Sequence, residues 1–164
     1  MSFERVVNIL AHFIKIHKQM NELAIEKTEI IKKNDMPALD ELIKKEASLI
    51  KQLKKLEQDR KKTVSEYARK YGLTSENVTI SELVESVPEK ERAILKKLQK
   101  GLLSEIGQLK KQNELNGQLL EDSLRYINFT LDLIVPDPEE YMYRRPSGKQ
   151  SDEGTHRSIF DSRA

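Results

Sequence analysis

From Leu39 onward the chain repeats one spacing, three or four residues, for nine consecutive steps: Leu39, Leu42, Glu46, Leu49, Leu53, Leu56, Arg60, Val64, Tyr67 and Tyr71. An α-helix turns once every 3.6 residues, so this spacing lines the side chains along one edge, whereas a strand would send them to both faces. A heptad seam of that length is the signature of a coiled coil and commits the segment to packing on another helix. Ile43 and Ile50 flank the seam, and the opposite face carries most of the segment's basic residues. Composition extends the argument to the whole chain. Charged residues make up 34%, aromatics 5%, and there are only six Gly and five Pro. Heavy charge of both signs with few breakers describes long helices with solvated faces. A β-sandwich or an α/β enzyme would need more Gly-rich turns and more β-branched or aromatic runs. The fold class is all-α.

Ahead of that seam, apolar residues recur at Phe3, Val7, Leu10, Ile14, Ala24 and Ile31, with His17 and Asn21 in the same stripe. Val6, Ile9, Phe13, Ile16, Met20, Leu23 and Ile30 widen the stripe, so a first helix over residues 3–33 should touch at least two others. Ser2 stands where an N-cap belongs. Asn34-Asp35-Met36-Pro37 ends this helix and starts the next, with Asp35 as cap and Pro37 in the first turn, where its missing N–H has no partner to lose. So short a break folds the second helix, residues 37–71, back antiparallel to the first. Gly72 then follows as a left-handed terminator.

Thr79 and Glu82 have capping-box spacing and predict a short connector helix over residues 80–86. Ser86 is placed to cap a last helix over residues 88–135, with Pro88 in its first turn and Pro136 as its stop. That helix would span ~70 Å. Its seam reads Leu95, Leu98, Leu102, Ile106, Leu109, Asn113, Asn116, Leu120, Leu124, Ile127, Leu131 and Ile134. Gly101, Gly107 and Gly117 each cost roughly 1 kcal/mol of helix propensity, which either close packing or pliability would explain. The expected architecture is an elongated antiparallel three-helix bundle over residues 1–135. Residues 136–164 have the composition of a flexible tail, interrupted by two apolar islands, Tyr141-Met142-Tyr143 and the terminal stretch with Ile159 and Phe160. Apolar side chains in a solvated tail call for a partner surface.

Several chemistries are excluded by residue type. With no Cys there is no disulfide framework, thiolate nucleophile or Cys-based zinc site. A di-iron bundle needs Glu-x-x-His pairs, but Ile9 and Ile14 precede His12 and His17 at that distance. Glu153 and His156 have the spacing only inside the tail. His12 and His17 lie about 140° apart on a helix, cannot share a metal, and read as packing histidines. A phosphotransfer histidine resembles His-x-x-Lys-Gly, yet Lys15 is followed by Ile16, and His17 has Met20 and Asn21 at those places. No phosphate loop, nucleophile elbow or paired carboxylates occur, so neither catalysis nor a metal or cofactor is expected. The 29 Lys+Arg against 27 Asp+Glu give a net charge of +2 and no global pull toward nucleic acid. Residues 36–71 hold ten basic and six acidic residues without an aromatic platform, which reads as a solvated coiled-coil face. Residues 6–14 lack charge but are bounded by Arg5 and Lys15, well short of the ~20 apolar residues that span a bilayer. The reading is a cytoplasmic chain with no membrane insertion.

Asn113 and Asn116 interrupt a leucine-rich seam, where an amide must find partners or water. Either they set the register of a buried interface, or cover over this stretch is incomplete.

With these pieces in order, the chain resembles the FlgN-type flagellar export chaperones over its whole length. The resemblance rests on the long first helix, the second helix after a short break, and a connector with Thr79-Ile80-x-x-Leu83. Its most telling part is the Asn-x-x-Asn-x-x-Leu-Leu-x-x-Ser-Leu run at Asn113, Asn116, Leu119, Leu120, Ser123 and Leu124, with Ile127 following. The ending Asp161-Ser162-Arg163-Ala164 is similar to Gram-positive members. The resemblance implies a chaperone that binds hook–filament junction proteins, shields their terminal helices and hands them to the flagellar export gate. It also implies a docking tyrosine just beyond the last helix, for which Tyr143 is the closest position, with Tyr141 competing. An amphipathic client helix would lie along a helix groove, read at i, i+3, i+4 and i+7. We place it on the distal half of the last helix and the tail: Asn113, Asn116, Leu119, Leu120, Leu124, Ile127, Leu131, Ile159 and Phe160. Competing readings are a client-free coiled-coil scaffold, including a homodimer, and, on the second helix alone, a nucleic-acid-binding bundle.

Overall fold

The computed structural model describes residues 2–134. Four α-helices occupy them: α1 (Phe3–Lys32), α2 (Met36–Ala68, continued by a 3-10 turn at Arg69–Tyr71), α3 (Ile80–Ser86) and α4 (Glu89–Ile134). The helices begin and end where local chemistry dictates. Asp35 accepts the Ala38 N–H at 3.1 Å and caps α2, with Pro37 in its first turn. Ahead of it, Asn34 takes a left-handed φ of 55°. Its N–H donates to the Ile31 carbonyl while Asp35 N–H reaches Ile30, the paired bonds of a Schellman terminus. Gly72, at φ 81°, ends the second helical segment in the same way, with Leu73 N–H bonded to the Ala68 carbonyl. At Thr79 both halves of the capping box are made, Glu82 N–H to the threonine hydroxyl and Thr79 N–H to the Glu82 carboxylate.

Two expected caps behave differently. Ser2 occupies the N-cap position of α1, but its side chain makes no capping bond. Ser86 does not cap α4, because it is the last residue of α3 and its hydroxyl donates backward to the Glu82 carbonyl. Pro88 and Val87 separate the two helices instead, and Arg92 clamps the corner by donating to the carbonyls of Val84, Glu85 and Val87.

The central member is α1, which packs along both α2 and α4. Lys27 meets Glu46 and Phe3 meets Tyr67, so α2 runs antiparallel to α1. Asn21 meets Glu105, and Thr28 meets Gln112 and Asn116, so α4 runs parallel to α1. The long helices thus go up, down and up, with α2 folded back on α1 as the short break at Asn34–Pro37 predicts. Their core divides along the axis. At the α1 N-terminus, Val6, Leu10, Val64, Tyr67, Leu83, Val84 and Leu95 bring every helix together, with α3 closing that end. Farther along, Phe13, Ile16, Met20 and Ala24 of α1 pack against Leu56 and Leu109. Each large apolar side chain buried this way stabilises by about 1.5–3 kcal/mol.

Candidate functional site

Toward the far end of α1 the interface between helices turns polar. Asn116 is 1% exposed, and its amide donates to the Ala24 carbonyl while its oxygen accepts from Thr28. Gln112 also donates to Thr28, and Asn21 donates to Glu105. On the other side of α1 the Lys27 ammonium, 2% exposed, sits 3.0 Å from the Glu46 carboxylate. These groups are mutually satisfied: no buried side-chain nitrogen or oxygen among the described residues lacks a partner. Such a layer adds little net stability but fixes which residues face each other, since a register slip would strand every one of them.

The same pairings set where α4 outruns its neighbours. Thr28 lies level with Gln112 and Asn116, so α1, ending at Lys32, stops about one turn farther on. Residues 121–134 continue for ~21 Å beyond it. There the apolar side chains are open to solvent: Leu124 is 60% exposed, Tyr126 71%, Phe129 61% and Leu133 72%. Among the described residues this is the longest run of exposed large hydrophobic side chains in the chain. Runs of this kind mark surfaces that bind something.

The residues singled out from the sequence divide accordingly. Asn116 is internal and takes the register-setting role, and Asn113, one turn before it, is half-buried. Leu119, Leu120 and Leu131 are half-buried, whereas Leu124 and Ile127 are exposed on the projecting segment. Tyr143, Ile159 and Phe160 lie outside the described residues. Tyr126, Phe129 and Leu133 were missed by a reading that followed only one seam. Their own spacing of three and four was the available signal.

Other parts of the surface offer less. His17 is buried with Nδ1 2.9 Å from the Phe13 carbonyl, a packing histidine as expected, whereas His12 is exposed. A depression of about 490 Å³ between α3 and α4 is lined by Ser81, Val84, Glu85, Arg92, Lys96 and Gln99, and its arginine is committed to the helix corner. No group of His, Cys, Asp or Glu among the described residues could hold a metal ion. No described helix is long and apolar enough to cross a membrane.

Comparison with known proteins gives one family: that described as FlgN protein matches residues 1–151. A relative from Bacillus subtilis (strain 168), described as uncharacterized protein YvyG, is 30% identical over 164 residues, the full length of both chains. No solved structure matches.

Proposed function

The chain belongs to the FlgN protein family, which is one of flagellar export chaperones and not of enzymes, and from that premise we propose that it is a cytoplasmic chaperone for hook–filament junction proteins. It binds their terminal helices, prevents premature assembly, and delivers them to the type III export gate. The observation that supports this reading is the projecting end of α4, whose apolar side chains have no cover within the described bundle. An unfolded or partly folded client with an amphipathic helix can bury its apolar stripe there, and each large side chain so covered contributes about 1.5–3 kcal/mol. Leu120, Leu124, Ile127 and Leu131 form the contact line, entered from Leu119. Asn113 and Asn116 mark its inner border, where the polar layer with α1 takes over. Ile159 and Phe160 act from the tail, either covering the line in the free protein or clasping the client. Tyr143 is the gate-docking residue.

Calorimetric titration of the purified chain with a purified hook–filament junction protein tests this. A stoichiometric complex is expected, weakened at least ten-fold by Leu124→Ser combined with Ile127→Ser, with an unchanged melting temperature because both residues are exposed. No complex with the parent chain would end the reading. Tyr143→Ala should leave that affinity intact and lower secretion of the junction protein. Should Tyr141→Ala do so instead, the docking residue is the other tyrosine.

A further inference from the structure

The projecting half of α4 is apolar on two sides. One stripe, Leu120, Leu124, Ile127 and Leu131, continues the seam that faces α1 and α2 inside the bundle. A second, Leu115, Leu119, Tyr126, Phe129 and Leu133, has the same spacing of threes, fours and sevens, and lies about 140° away around the helix. Its outer members are the most open apolar residues of the segment, Tyr126 at 71% and Leu133 at 72%. One docked helix covers a stripe somewhat over 100° wide and cannot reach both. A helix apolar on two such faces is ordinarily packed between two neighbours. Within the bundle, α4 packs on one side, against α1 and, at its start, α3. Lys97, Ser104 and Gln108, which continue the face of the second stripe there, are polar and exposed, so the second apolar stripe is particular to the projecting half.

Charge selects among possible occupants. Residues 89–111 of α4 carry seven basic and three acidic side chains, but residues 112–134 carry only Arg125 against Glu114, Glu121, Asp122 and Asp132. The sign therefore reverses where the apolar surface opens. A second copy of the chain would bring acidic segments together in either orientation, which opposes self-association. A partner whose apolar stripe is bordered by Lys and Arg meets no such repulsion.

The geometry points to a client that docks two amphipathic, basic-bordered helices on this segment at once, one along each stripe. This rests on the chaperone reading above and specifies its client as a two-helix unit, such as both terminal segments of one junction protein. The free chaperone is then monomeric.

The test uses the full chain, an intact hook–filament junction protein, and the C-terminal segment of that protein alone. Leu124→Ser with Ile127→Ser disrupts the first stripe, and Tyr126→Ser with Phe129→Ser the second. All four residues are exposed, and unchanged circular dichroism melts confirm that the variants fold. Against the intact client, each double variant should lose at least ten-fold in affinity. Against the isolated segment, only one of the two should lose affinity, and the other should bind as the parent does. If second-stripe variants bind the intact client normally while first-stripe variants do not, a single helix docks and the two-helix inference fails, leaving the chaperone reading in place. If neither pair matters, both the inference and the proposed site fall. Sedimentation equilibrium of the free chain decides the remaining outcome, since a dimer dissolved by the second-stripe variants would assign that stripe to a second copy.

Discussion

Lys27 and Glu46 form a buried ion pair between α1 and α2, with side chains 2% and 14% exposed. Desolvation consumes most of the Coulombic gain in such a pair, yet losing one partner strands the other. Lys27→Met, which takes the cation from Glu46, should therefore cost about 3–5 kcal/mol, while Lys27→Met with Glu46→Leu should be neutral or stabilising. Urea denaturation of the single and double variants measures both, and a mild effect of Lys27→Met would mean that water reaches Glu46. Tyr67 makes a second residue-scale prediction. Burial, then hydrogen bonds to Glu91 (2.6 Å) and Tyr71, holds its phenol well above the usual 10.0. A group whose folded pKa is raised contributes stability that is complete below the unfolded pKa and is lost as pH rises above it. The melting temperature should thus fall as pH climbs past about 10, and Tyr67→Phe should flatten that slope at a cost of about 1–3 kcal/mol near neutrality. A melting profile as steep in the variant as in the parent would place the alkaline sensitivity elsewhere. At this scale the sequence was half legible. Glu46 stood in the α2 seam, but its partner was not visible, because Lys27, between Ala24 and Ile31, was not among the residues assigned to the α1 stripe.

Helix ends and glycines belong to the next scale. Gly101 faces Ile14, where an added methyl group would meet the isoleucine side chain at 3.6 Å, an ordinary contact. Gly107 and Gly117 have open space at that position. Neither therefore serves close packing, and Gly107→Ala and Gly117→Ala should each stabilise the protein by about 1 kcal/mol through helix propensity alone. Thermal melts check this. Gly117 lies one turn ahead of the projecting segment, so a client affinity that falls in Gly117→Ala but not in Gly107→Ala would show that bending there is used. Element boundaries were legible wherever a side chain closes a specific backbone bond, as at Asp35, Gly72 and Thr79. At Ser2 and Ser86 the boundaries also fall where expected, but neither hydroxyl makes the expected capping bond, although both have the right residue type. A serine hydroxyl binds whichever backbone group is near, and at position 86 the nearer one is the carbonyl a turn behind.

Across the whole molecule, length arithmetic is what exposed the site. Helices of 30 and 33 residues cannot flank one of 46 along its entire course. Seam spacing alone does not say which end projects. That depends on register, which the polar pairs of Thr28 and Asn21 set by aligning the start of α4 with the start of α1. The projecting end was legible in the sequence because Asn113 and Asn116 interrupt the seam, although Asn116 proves to anchor α4 on α1 and is not itself a sign of thin cover. This arrangement separates stability from binding along a single helix. Both core clusters are complete by Leu109, and the polar layer is complete by Asn116, so residues beyond it contribute little to the fold. Truncation after Gln150 removes Ile159 and Phe160 and should weaken client binding while leaving the melting temperature within a degree or two. Leu120→Asp, at a half-buried position one turn past Asn116, should lower both, since a charge denied full hydration is costly. Leu124→Asp, one turn farther and mostly exposed, should lower binding alone. Paired melting and titration curves for the three proteins give the answer. If Leu124→Asp melts as low as Leu120→Asp, the projecting segment is covered in the free chain. If the truncated chain binds the client as tightly as the full one, the tail takes no part and the groove on α4 acts by itself.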